Sequence, residues 1–215
     1  MTQSQFAWLL GKPIIGALVR VFAPLRTYGR DRVPAQGPVV LCFNHFSWLD
    51  PWAIGSSCPR IIFYVAKQEA HDDKLVGPFI RFFGTTPIRR GESDREAVRA
   101  MREVVRRGDA LGMFPEGTRQ AREPGPVLPG AAMIAVQEQV PIVCAAIHGT
   151  QDWRLGNFRP VSIAFGEPFD VSHHPRNSKG YRAASEEIQS ELRRLWEFLV
   201  LLHERGRPRV AIPPA

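Results

Sequence analysis

The sequence predicts an α/β fold, a single domain in which a mixed sheet is flanked by helices. Three observations predict it. From Gly37 onward, short apolar runs of strand length alternate with longer stretches of helical periodicity. The 215 residues are enough for one domain with its own core, and no evident linker divides them. A composition of 44% hydrophobic and 23% charged residues is that of a folded globular chain and excludes the disordered and collagen-like classes.

The elements follow in order. The segment 6–25 is rich in Leu, Ile, Val, Phe and Trp, yet Lys12, Pro13, Arg20 and Pro24 interrupt it before it reaches membrane-spanning length. No small-residue cleavage site follows a clean apolar core, so a secretory signal is not expected. Trp8 and Phe6 with Lys12, Arg20 and Arg26 suit an amphipathic segment lying in the headgroup layer of a membrane. A helix packed on the domain accounts for the same pattern. The expected organisation is residues 1–30 as N-terminal amphipathic membrane-associating helices, 31–205 as the main domain and 206–215 as a tail.

Residues 39–43, 61–65, 85–88, 110–114, 142–147 and 161–165 read as strands. Residues 93–107 form the clearest helix. Ser93 and Glu96 make a capping-box pattern, Val98, Met101, Val104 and Val105 recur at helical spacing, and Gly108 stops the helix. Glu92, Asp94 and Glu96 at its start and Arg106 and Arg107 at its end complement the helix dipole. A last helix over 179–204 carries Tyr181, Ala184, Ile188, Leu192, Leu195 and Leu199 on one stripe, and Gly206 and Pro208 end it. Residues 120–130 and 170–178 read as surface loops. Strand-end loops of such a sheet are where a site is expected.

A net charge of +7 suits polyanionic partners. Without zinc-finger spacing, an RNP-like aromatic pattern or a long basic run, nucleic acid is not expected among them. Cys42, Cys58 and Cys144 lack CxxC spacing and sit in or beside apolar runs, which points to reduced, buried thiols. Cys42 is close to His45, but a small apolar residue inside the 39–43 strand accounts for it better than a nucleophile does.

Three islands carry chemistry. The strand 39–43 delivers directly into Asn44-His45-Phe46-Ser47-Trp48-Leu49-Asp50. On a regular helix, five residues would separate the His45 and Asp50 side chains by roughly 140°. A turn could instead bring them together. Asp50 would then fix the imidazole tautomer and leave the other nitrogen as a general base. That is the Asp–His half of a serine-hydrolase triad with no GxSxG elbow, so the attacking hydroxyl would belong to the substrate. The second island, Phe114-Pro115-Glu116-Gly117-Thr118-Arg119, also follows a strand; its Gly permits a tight turn, and Arg119 can grip a phosphate. The third runs from Gly84 to Gly91 with Arg90 at the tip of another strand, and Lys67 follows the strand at 61–65 in the same manner.

Taken in order and spacing, the HxxxxD-type NHxSxxD segment, the Gly…Pro-Ile-x-Arg segment, FPEGTR and the Val140-Pro141-Ile142 strand resemble the four motifs of the glycerolipid acyltransferases. The closest likeness is to the bacterial 1-acylglycerol-3-phosphate acyltransferase group, over about residues 30 to 170. The resemblance implies the glycerol-3-phosphate acyltransferase-like fold and transfer of a fatty-acyl group from acyl-CoA or acyl-carrier protein to the free hydroxyl of lysophosphatidate, making phosphatidic acid. It implies His45 as general base, Asp50 as its orienting partner, and Arg90, Glu116, Gly117, Thr118 and Arg119 around the acceptor, with Lys67 a further phosphate contact. No metal and no cofactor beyond the acyl thioester are expected, and the location is peripheral or monotopic on the cytoplasmic face of an anionic membrane. Backbone donors near Gly117 are candidates for stabilising the oxyanion.

The sequence departs from the family pattern at Pro87 and Arg89 of the second motif, which leaves acceptor choice open, and at Gln120, which follows FPEGTR where a small residue is usual. Another lysophospholipid or polar lipid as acceptor, and a catalytically silent membrane-binding protein, are the alternatives. His148, His173 and His174 lack a carboxylate or thiolate cluster at metal-ligand spacing and read as structural or solvated. Asp152 and Trp153 either line the cleft or, for the Trp, pack in the core.

Overall fold

The computed structural model describes residues 3–72, 74, 77, 80, 85–88 and 94–214. In chain order the elements are α1 (Gln3–Phe22), β1 (Leu25–Tyr28), β2 (Val39–Phe43), α2 (Asp50–Ser57), β3 (Ile62–Lys67), α3 (Gln68–Asp72), β4 (Thr86–Ile88), α4 (Asp94–Arg106), β5 (Ala110–Met113), α5 (Gly130–Glu138), β6 (Ile142–His148), β7 (Val161–Phe165) and α6 (Ser178–Glu204). The strands form one seven-stranded sheet in the order β1-β7-β6-β2-β5-β3-β4. Five strands, β6, β2, β5, β3 and β4, run parallel; β7 is antiparallel to β6, and β1 is parallel to β7. The sheet is therefore mixed, as expected.

β2 is apolar throughout because both its faces are covered, which is the signature of a central parallel strand. The period of two sorts its residues into two layers. Val40 and Cys42, with Ile142, Cys144, Ala146 and Leu111, face the core under α4, α5 and α6. Val39, Leu41 and Phe43, with Val143, Ala145 and Ile147, face the core under α1 and α2. All three cysteines are buried and free, so Cys42 is a packing residue and not a nucleophile. On α6 the expected stripe is buried at Ala184, Ile188, Leu192, Leu195 and Leu199, and Asn177 caps the helix by accepting from the Gly180 N–H at 3.0 Å. Ser93, expected to cap α4, lies outside the described residues.

Two expectations about the termini change. Residues 25–28, expected to belong to an N-terminal helical segment ending at residue 30, form edge strand β1, paired with β7 from Leu25 to Tyr28. The expected tail at 206–215 is pinned across that edge. Arg207 donates to the Ser162 hydroxyl and the Val161 carbonyl, Tyr28 donates to Pro208 O at 2.8 Å, and Arg32 donates to Pro213 O and Pro214 O.

Of the two readings of the N-terminal segment, Trp8 follows the packed helix and not the headgroup layer: it is 2% exposed, packed with Val19 and Ala23 against α2. Gly55 of α2 makes room for it, since a Cβ there would lie 2.6 Å from the Trp8 ring. The opposite side of α1 exposes Leu10, Ile14, Leu18 and Val21 at helical spacing. Among the described residues, no helix is long and apolar enough to cross a membrane.

Candidate active site

The strand order decides where the site lies. β6, β2, β5 and β3 are consecutive parallel neighbours, so the loops leaving their C-terminal ends stand side by side, at the edge where open α/β sheets bind ligands. His45 follows β2, Glu116 follows β5, Thr150 to Leu155 follow β6, and Lys67 closes β3.

After β2 the chain turns before it enters α2. Asn44, fully buried, clamps the turn to β6: its amide nitrogen donates to Ile147 O at 3.0 Å and its amide oxygen accepts from Ile147 N–H at 2.8 Å. Asp50 is the first residue of α2, and its carboxylate reaches back over the turn. Asp50 Oδ2 accepts from the Phe46 N–H at 2.6 Å and the Ser47 N–H at 2.7 Å, and lies 2.8 Å from His45 Nδ1. Two backbone donors fix this oxygen as an acceptor, so Nδ1 carries the hydrogen and Nε2 presents its lone pair. Asp50 is completely buried, whereas the His45 side chain is 20% exposed. The five-residue step that a helix would splay apart is closed by the turn.

Glu116 lies beneath the same loop. It is 5% exposed, and its two oxygens accept from the His45 N–H and the Gly125 N–H, each at 2.9 Å. Burial pushes its carboxyl up to about 7, the nearby Asp50 charge acting in the same direction and the two N–H donors against it. The loop carrying Glu116 is tied to the loop carrying His45 a second time, by Gln120 N–H donating to His45 O at 2.7 Å. Gly117 adopts φ +69°, as a tight turn requires, and its N–H donates to Phe114 O at 3.0 Å. That N–H is committed to the turn. The Phe114 ring lies 4.3 Å from the His45 ring and stacks on Tyr64, giving the imidazole an aromatic wall.

Thr118 and Arg119 are exposed. Arg119 lines a cleft of about 450 Å³, whose other walls include Phe46, Trp48, Thr150, Trp153 and Leu155. Trp153 meets both expectations for it, being 4% exposed, bonded through its indole N–H to Phe22 O at 3.0 Å and also part of the cleft wall. The Lys67 side chain and all of Arg90 lie outside the described residues. Nothing local in the chain marks Asn44 as a clamp or Phe114 as a wall, because each depends on strand order; the loop after β6 is the one where Asp152 and Trp153 were candidates for lining the cleft, and Trp153 does. His173 and His174, read as lacking a carboxylate, meet Glu187 in space, with one ligand-type atom of each within 4.8 Å.

Residues 24–148 match the acyltransferase family. The chain is 27% identical over 176 residues to the 1-acyl-sn-glycerol-3-phosphate acyltransferase of Bacillus subtilis, covering 80% of this chain and 87% of that one. It is 29% identical over 186 residues to the enzyme of the same name from Streptococcus pneumoniae, covering 84% of this chain and 69% of that one. Among solved structures, the 1-acyl-sn-glycerophosphate acyltransferase of Thermotoga maritima superposes with a TM-score of 0.70 at 23% identity, over 93% of this chain and 84% of that one. This likeness bears on the fold.

Proposed function

Because the chain belongs to the acyltransferase family, we propose that it is a 1-acylglycerol-3-phosphate O-acyltransferase, which acylates the free hydroxyl of lysophosphatidate to make phosphatidic acid. The observation that carries the reading is the His45 Nδ1 to Asp50 Oδ2 contact of 2.8 Å, which leaves Nε2 as a base for a substrate hydroxyl. His45 Nε2 removes the hydroxyl proton as the oxygen attacks the thioester carbonyl carbon. The tetrahedral intermediate collapses with cleavage of the carbon–sulfur bond, and the thiolate leaving group takes the proton back from the imidazolium. The chain needs no nucleophile of its own and no resident cofactor for this step. Acyl-CoA or acyl-carrier protein serves as donor.

Arg119, with Lys67 and Arg90, holds the acceptor phosphate, and Gly117 and Thr118 shape the turn that presents Arg119. Glu116 is a positioning residue, because its oxygens already hold two backbone N–H groups of the site loops. The exposed side of α1, with Leu10, Ile14, Leu18 and Val21, lies on the cytoplasmic face of an anionic membrane, where both acceptor and product reside. The apolar surface continues from α1 toward the cleft: the Phe22 ring stacks on Phe158 at 6.4 Å, and Trp48, Leu155 and Phe158 are all exposed.

The test is product analysis by mass spectrometry with lysophosphatidate, lysophosphatidylcholine and glycerol 3-phosphate offered in competition. Phosphatidic acid as the main product is the expected result. Main acylation of another acceptor would keep the chemistry and overturn the substrate.

A further inference from the structure

We propose that the loop after β6 supplies the second half of the acceptor-phosphate site, with Arg154 and Thr150 lining the same cleft as Arg119. The inference rests on the function proposed above and extends it to residues outside the four sequence motifs.

The cleft is cationic. Arg119 and Arg154 both line the cleft, no carboxylate belongs to its lining, and neither guanidinium forms an ion pair among the described residues. Arg154 donates only to the neighbouring Trp153 O, at 2.9 Å, among its described contacts. A guanidinium has five N–H donors, so most of the fork is available to a ligand. Two such forks on one cleft match a phosphate monoester, which offers three oxygens and up to two negative charges.

A hydroxyl stands beside these cations. Thr150 is 1% exposed and lines the cleft, and its Oγ1 has no hydrogen-bond partner among the described residues. Buried hydroxyls are ordinarily paired, and one left unpaired at a binding site fits a group completed by its ligand. As donor it would serve a phosphate oxygen; Gln151, whose side chain meets Gly149 N–H and His148 Nδ1, is already engaged.

Hydrogen bonds brace the loop after β6. Trp153 N–H donates to Thr150 O at 3.2 Å, Asn157 N–H donates to Arg154 O at 3.1 Å, and the buried Trp153 indole is bonded to the end of α1. Arg154 therefore stands on a turn fixed by its neighbours, on a cleft shared with the loop that is tied to His45 through Gln120. The cleft is also lined by Trp48 and Leu155, both exposed, so an acceptor held there by its phosphate can leave its acyl chain in the lipid layer while its hydroxyl turns toward the His45 loop.

Initial rates with lysophosphatidate and acyl-CoA varied separately test the assignment in wild type, Arg154→Ala, Arg154→Lys and Thr150→Val. Arg154→Ala is expected to raise the acceptor KM about tenfold or more and to leave the donor KM within about twofold, with partial recovery in Arg154→Lys. Thr150→Val is expected to raise the acceptor KM by a smaller factor. A rise in donor KM alone would move the site to the phosphates of CoA, and unchanged constants would remove Arg154 from substrate binding; either result overturns the proposal.

Lysophosphatidate binding to His45→Ala, with and without Arg154→Ala, is read from the fluorescence of the cleft tryptophans and decides the matter independently of turnover. Binding weakened by Arg154→Ala supports the site even if wild type acylates a different lysolipid, in which case the proposed substrate fails alone. Equal binding in the two proteins overturns the site.

Discussion

Asp50 shows how much one side chain holds. Its Oδ2 accepts from two backbone N–H groups and the His45 imidazole, so it shapes the turn and sets the tautomer together. In Asp50→Asn the amide oxygen can keep those donors, but the negative charge that stabilises the imidazolium is lost. We expect kcat to fall at least about 100-fold with the acceptor KM little changed, measured by steady-state kinetics; a fall in affinity with kcat preserved would contradict the role. Glu116 makes a different prediction. Its folded carboxyl titrates near 7 against an ordinary 4.5, so the folded chain holds a proton that the unfolded chain releases, and stability falls as pH rises from about 4.5 to about 7. Glu116→Gln should lose this part of the pH dependence. It should also lower stability by about 1–3 kcal/mol, because one of the two N–H groups loses its acceptor. Urea unfolding at pH 5 and pH 7.5 checks both, and an unaltered pH slope in the variant would contradict the burial argument. At this scale the sequence spoke through His45, Asp50 and Arg119, whose types and spacing carry chemistry. Asn44 and Thr150 were illegible because their roles depend on which strands are neighbours.

At the scale of elements, the contact between α1 and α2 is the most sensitive to a single atom. A Cβ at Gly55 would meet the Trp8 ring at 2.6 Å. The ring is wedged among Val19, Ala23 and the residues of α2, so Gly55→Ala should lower stability by about 1–3 kcal/mol through overpacking, even though alanine favours a helix more than glycine does. Thermal melting checks the sign, and a raised melting temperature would mean that Trp8 moves freely. The strand positions were largely legible, since β2 and β7 match their expected spans and the others lie within a few residues. β1 was missed because Leu25–Tyr28 is a four-residue edge strand with no apolar alternation. The side on which Trp8 lies was left open because periodicity shows that a helix has two faces without saying which one meets the protein.

For the whole molecule, the parallel centre of the sheet aligns three site loops, and the exposed side of α1 extends an apolar surface toward them. Flotation with anionic vesicles should show binding that persists at high salt, because inserted apolar side chains are not screened as charges are. Replacing Leu10, Ile14 and Leu18 with Asp should abolish it; binding lost in wild type at high salt would leave charge as the only attachment. The α/β class and the order of its elements were legible from alternating patterns, whereas the sheet order, which makes the loops after β6 and β5 neighbours of the His45 loop, was not. Nothing local in the chain encodes it.

Whether His45 is the base for acyl transfer is read from thiol release from palmitoyl-CoA with lysophosphatidate in detergent micelles, in wild type and His45→Ala. Acceptor-dependent release is expected in wild type, with at least about a 100-fold loss in His45→Ala and a melting temperature of the variant close to wild type. Release at the wild-type rate from a folded His45→Ala protein would contradict that role.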